Sequence, residues 1–109
     1  MSTEDGYQLV IYLNQDDLVG RKPAVDAVIR EALRLEFHGA SIFRAVEGFG
    51  SHRRIERGRL LSTEDDRGVM MVLIEKDYDK IAELMSWIGN QLPGTFATTS
   101  KHELHHLGT

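Results

Sequence analysis

Apolar positions recur along this chain with two periods, and the switches between them mark out its elements. Gln8 to Leu13 is rich in β-branched and aromatic residues and predicts a strand. The polar stretch Asn14 to Lys22, with Gly20 inside it, reads as a loop. Pro23 stands where a helix would begin, because its missing N–H costs nothing in the first turn. Val25, Val28, Ile29, Ala32 and Leu35 then follow the spacing of one helical face, and Gly39 is the candidate stop. Ser41 to Val46 predicts a second strand and Gly68 to Glu75 a third. Asp77 is a candidate N-cap, and Ile81, Leu84, Met85, Ile88 and Leu92 mark the face of a second helix that Pro93-Gly94 ends. Thr95 to Thr99 predicts a fourth strand.

This β-α-β-β-α-β order predicts a ferredoxin-like α+β domain: an antiparallel four-stranded sheet with two helices on one face. With helices on one side only, the strands should alternate between apolar and polar positions. The third strand does not: Val69, Met71 and Leu73 point one way and Met70, Val72 and Ile74 the other. The first strand is similar, with Val10 and Tyr12 opposing Leu9, Ile11 and Leu13. The chain has no further element for the second face, so a second copy is expected to cover it.

Composition narrows the setting. The 109 residues suit one domain, spanning 1–109, with polar ends at 1–6 and 100–109 expected as flexible tails. There is no cysteine, so disulfides and thiolate chemistry are excluded, which fits a cytoplasmic protein. No apolar run reaches the ~18 residues of a membrane span, and the acidic N-terminus is unlike a secretory signal. A net charge of -4 argues against a general nucleic-acid binder.

The positive charge is concentrated between the second and third strands. Gly48-Phe49-Gly50-Ser51-His52-Arg53-Arg54 opens a polar segment running to Arg67, with Arg57 and Arg59 following. A connection of roughly twenty residues is far longer than a hairpin needs, and such loops in compact domains are commonly functional. Gly48 and Gly50 can present backbone N–H groups to an anion, and Arg53 and Arg54 can clamp a phosphate or carboxylate. The competing reading is a solvated loop whose arginines pair with Glu56, Glu64, Asp65 and Asp66. Arg44, mid-strand beside Ile42 and Val46, calls for an acidic partner or an anion. The expected ligand-binding set is therefore Arg44, Gly48, Phe49, Gly50, Ser51, His52, Arg53 and Arg54.

Gly39 to Gly50, continuing through Arg54-Ile55, resembles the signature of a PII-like family, the domain of unknown function 190. The Tyr12-Leu13 strand followed by Lys22-Pro23, and the apolar third strand ending in Glu75 ahead of Asp77, resemble it too. The resemblance spans roughly Gln8 to Thr99. It implies ferredoxin-like subunits that form a homotrimer, with sheets facing its interior and small anionic ligands, adenine nucleotides among them, in clefts between subunits. It also implies a regulatory role, with a membrane transporter or channel as a candidate target. Two PII devices are not matched. Gly89 to Gly94 has glycines but no Asp or Lys, and Lys101 is the only Lys or Arg after Lys80. There is also no loop tyrosine between Gly48 and Gly68 to accept uridylylation.

His102-Glu103-Leu104-His105-His106 matches the pattern H-E-x-x-H, which works when a helix stacks two histidines one turn apart. Following a strand, His102 and His106 would stand ~13 Å apart, too far to share a metal. No metal, cofactor or catalytic residue is expected. Asp16-Asp17 and Glu64-Asp65-Asp66 read as solvated loop charge. The sequence thus points to a non-catalytic PII-like regulatory protein. Its alternatives are a small enzyme acting on a phosphorylated substrate through the loop arginines and His52, or a metal-responsive trimer resembling the divalent-cation tolerance proteins.

Overall fold

The structure, a computed structural model, describes residues 2–45 and 68–108. Their elements are β1 (Ser2–Asn14), β2 (Leu18–Val19), β3 (Lys22–Pro23), α1 (Ala24–Arg34), β4 (Gly39–Arg44), β5 (Gly68–Glu75), α2 (Tyr78–Gln91) and β6 (Phe96–His106). The main sheet has the order β4-β5-β1-β6, and every neighbouring pair is antiparallel. Both helices pack on one face, over a core centred on Leu9, Ile11, Val28, Met71, Leu73, Ile81 and Leu84. This is the ferredoxin-like arrangement the apolar pattern predicts.

β5 shows how that pattern resolves. Burial alternates strictly along it: Val69, Met71, Leu73 and Glu75 are buried, and Met70, Val72 and Ile74 are half-buried. The first set meets the helices and the second lies on the open face. Register aligns a row across all four strands of that face, Phe43–Met70–Tyr12–Phe96, with Ser41–Val72–Val10–Thr98 beside it. Tyr12 and Phe96 pack ring to ring at 5.9 Å, yet Phe43, Tyr12 and Phe96 remain 51%, 45% and 67% exposed.

Helix α1 starts one residue after Pro23, whose φ of -55° lies within the ring's range. It buries Ala24, Val25, Ala27, Val28 and Ala32. Its stop is not Gly39, which instead opens β4. Glu36 takes the left-handed conformation, at φ 61°. Phe37 N–H reaches Ala32 O and Glu36 N–H reaches Leu33 O, each at 3.0 Å. That is a Schellman closure with glutamate where glycine is usual. A side chain at positive φ costs about 1–2 kcal/mol, partly offset by the chain entropy a glycine would lose. Glu36→Gly should therefore raise stability by about 0.5–1 kcal/mol, read as a higher urea midpoint at unchanged slope.

Helix α2 begins where Asp77 accepts the Asp79 N–H at 2.9 Å, which confirms the expected cap. It buries Ile81, Leu84 and Ile88. Between β1 and α1 the expected loop contains the small β2–β3 hairpin. Asp17 braces it: its carboxylate accepts the Asn14 N–H at 2.9 Å and its carbonyl accepts the Ala24 N–H at 2.8 Å.

The chain ends correct the sequence reading. Residues 2–6, expected as a tail, pair with 102–106 as the outer parts of β1 and β6, and Ser100 and Lys101, also expected in a tail, pair with Gln8 and Tyr7. Polar residues on both faces hide this pairing from an apolar pattern. A specific contact closes it: a Cβ on Gly6 would collide with the Leu104 side chain. Leu104 thus fits against the strand because position 6 has no side chain.

Candidate functional site

The segment 46–67 leaves β4 and returns to β5 at one end of the sheet. Pairing continues one step past β4, with Ala45 N–H donating to Gly68 O at 2.8 Å. The two chain ends of the segment therefore start side by side. The aromatic row of the open face lies at this same end, as does the turn that follows β1.

Arg44 is the last residue of β4, opposite Val69 and on the same face as Ile42. The sequence demanded an acid or an anion for it. The structure instead gives it a neutral partner: Nε donates to Gln15 Oε1 at 2.8 Å. The guanidinium is exposed because β4 is an edge strand that the helices do not cover, so no buried charge needs neutralising. The contact ties the turn after β1 to the last residue of β4, four positions ahead of Gly48. Gln15 gave no sign in the sequence, being one polar residue in a polar stretch. Gly48, Phe49, Gly50, Ser51, His52, Arg53 and Arg54 lie outside the described residues.

At the opposite end of the sheet, Glu75 is a buried carboxylate, 4% exposed. It accepts the backbone N–H groups of His38 (3.0 Å), Lys76 (2.9 Å) and Asp77 (3.0 Å). One side chain thus joins the α1–β4 connection to the β5–α2 turn. Nearby, Glu4 Oε2 meets His106 Nε2 at 2.6 Å and Glu4 Oε1 meets Lys76 Nζ at 3.5 Å. The His106 hydrogen bond holds the Glu4 carboxyl below its ordinary range, against the cost of desolvation and with help from the Lys76 charge. On the helices, Arg34 holds the Glu31 carboxyl down and is itself raised by it; both lie in an ion pair on the helix surface. These displaced groups sit in ion pairs on the outer surface, away from the Arg44 end.

The H-E-x-x-H match lies on β6, so its histidines follow the rise of a strand. His102 meets Ser100 at 2.8 Å, His105 meets Glu103 at 3.1 Å, and His106 meets Glu4. Among the described residues, no group of three or more His, Cys, Asp or Glu side chains is arranged to hold a metal ion. No helix among them is long and apolar enough to cross a membrane.

The backbone is shared with proteins of known structure. CPII, a nitrogen regulatory PII-like protein from Thiomonas intermedia K12 solved with ADP, AMP and bicarbonate, is 17% identical and matches with a TM-score of 0.66 over 94% of this chain and 89% of its own. The apo form of CPII is 13% identical over 94% of this chain and 95% of its own, with a TM-score of 0.62. A DUF3240 family protein from Shewanella baltica OS155 is 14% identical over 94% of both chains, with a TM-score of 0.55. These likenesses establish a PII-like fold. The sequence model of one family, DUF190 (Uncharacterized ACR, COG1993), matches residues 6–104, nearly the whole domain, and the chain belongs to that family.

Proposed function

We propose that this protein is a non-catalytic PII-like regulator. It binds a small anion, an adenine nucleotide among the candidates, at the Arg44 end of the sheet, in clefts between the subunits of a homotrimer. The 48–67 loop then carries the bound state to a partner protein in the cytoplasm, with a membrane transporter or channel as the target class. The observation that carries this reading is the position of Arg44: an exposed guanidinium that, among the described residues, is held through Nε by a neutral amide, at the end of the strand that leads towards Gly48–Arg54. Its Gln15 contact orients the group without neutralising it, so its charge stays available for a phosphate or carboxylate. CPII, which shares the fold, was solved with ADP, AMP and bicarbonate, and that ligand class suits an arginine-lined cleft.

The row Phe43–Met70–Tyr12–Phe96 supports assembly. It is an apolar band across the whole sheet, and exposed bands of that kind mark interaction surfaces. In a trimer with sheets turned inward, the band is buried and its outer end borders the Arg44 cleft.

Isothermal calorimetry against AMP, ADP, ATP, phosphate, acetate and bicarbonate tests the reading. At least one should bind. Arg44→Ala should weaken that ligand about tenfold or more, since a hydrogen bond to a charged group contributes about 1.5–3 kcal/mol. Arg53→Ala combined with Arg54→Ala should abolish binding while leaving the oligomer intact. No binding across the panel, or full affinity in the Arg53/Arg54 double variant, would overturn the assignment.

A further inference from the structure

The histidine-rich segment at the end of β6 has no part in the ligand reading, yet it is placed where protons can do mechanical work. β5 pairs with β1 only from Tyr7 onward, so residues 2–6 of β1 and 102–106 of β6 form a two-stranded arm that continues past the rest of the sheet. Two-stranded ribbons are marginal in water. The balance between closed and frayed therefore rests on a few side-chain contacts.

Those contacts are charged, and they are arranged around two imidazoles. On one face, His106 meets the Glu4 carboxylate across the strands at 2.6 Å. From the β5–α2 turn Lys76 reaches the same carboxylate, and from the α1–β4 connection the His38 ring stands edge-on to the His106 ring at 6.2 Å. On the other face, Asp5 and Glu103 stand directly opposite each other in register. Like charges in that position push strands apart. His105 lies two residues along from Glu103, its Nε2 3.1 Å from the Glu103 carboxylate and its Nδ1 3.3 Å from Thr3 Oγ1 on the opposing strand. Lys101 lies two residues the other way on the same face.

We propose that this arm is a proton-operated latch, closed when His105 and His106 are charged and frayed more often when they are neutral. A charged imidazole adds a Coulomb attraction to its hydrogen bond with a carboxylate that a neutral one lacks, and it offsets the Asp5–Glu103 repulsion as well. Glu4, held below its ordinary range, is ionised across the whole interval in which imidazoles change charge, between about pH 5 and 8. The imidazoles therefore set the strength of the latch. Because the Glu4 pKa is depressed, its contribution is present above the ordinary carboxylate range and is lost only in more acid solution. The latch thus loosens as the imidazoles lose their charge.

Amide hydrogen exchange of the full chain, corrected for the intrinsic pH dependence of exchange, tests this. Protection across residues 2–6 and 102–106 should fall about threefold to tenfold between pH 5.5 and 7.5, the effect of two solvent-exposed charge pairs acting together. Amides of Leu9, Ile11 and Leu73 should keep their protection at both pH values. His105→Gln combined with His106→Gln should remove the pH effect from the arm and leave the central strands unchanged, and Glu4→Gln should remove part of it. Arm protection in the wild type that is the same at both pH values would overturn the proposal. So would a double histidine variant that keeps the full pH effect.

Discussion

Replacing Glu75 with alanine is expected to remove about 3–5 kcal/mol of stability, from one side chain whose hydrogen bonds among the described residues all go to backbone N–H groups. Its carboxylate satisfies three backbone N–H groups that come from two separate connections. Oε1 takes His38, and Oε2 takes both Lys76 and Asp77. Alanine leaves all three donors without an acceptor in a site where the carboxylate itself was 4% exposed. Each lost hydrogen bond to a charged group is worth about 1.5–3 kcal/mol, and water entering the vacated space recovers only part of the sum. Glutamine should lie between the two. It keeps one oxygen acceptor but turns an NH2 group towards a backbone N–H, so about 2–3 kcal/mol should still be lost. Equilibrium urea unfolding of the three proteins measures both values. An alanine variant within 1 kcal/mol of wild type would show that the carboxylate is not what joins these connections.

Glu75 also shows where a sequence stops being legible. The apolar run that ends in it predicts both limits of β5, and Asp77 predicts the start of α2, because local chemistry decides both. That a glutamate at the strand end would be buried does not follow from pattern, since carboxylates normally lie outside. It follows from three backbone donors, those of His38, Lys76 and Asp77, which come together only in three dimensions. The left-handed Glu36 was missed for a related reason: Gly39 is the better residue for a helix stop, but the helix geometry placed the turn three residues earlier. The arm of residues 2–6 and 102–106 was read as tails because both its faces are wet. Period-two alternation signals a strand only where one face is buried. At the ligand end, Arg44 stood out as a charge among apolar strand residues. Gln15, its partner, did not, because a lone polar residue in a turn says nothing about what lies across from it.

Adjacent methionines on β5 should fail in opposite ways when each is replaced by lysine. Met71 is fully buried between the sheet and the helices, in the cluster with Leu9, Ile11, Leu73, Ile81 and Leu84. A lysine there has no partner and no path to water, so Met71→Lys should cost at least about 3–5 kcal/mol, enough to unfold the chain. Met70 is half-buried on the open face, flanked in register by Phe43 on β4 and Tyr12 on β1. In a single subunit, a lysine there can lay its methylenes along the two aromatic rings and keep its charge in water, so folding should be nearly unaffected. In an inward-facing trimer the same charge is carried into the assembly's core, once from each subunit. Met70→Lys should therefore give a folded monomer, with wild-type secondary structure by circular dichroism and the mass of one chain by sedimentation equilibrium. Wild-type protein should sediment as a trimer under the same conditions. A wild-type monomer at micromolar concentration would overturn the assembly reading, and a trimeric Met70→Lys would move the interface off the Phe43–Met70–Tyr12–Phe96 row. Because the cleft proposed for the anion exists only between subunits, the Met70→Lys monomer should also lose ligand binding although Arg44 and Gln15 are both intact. That loss separates a site completed by assembly from one that a single subunit holds alone.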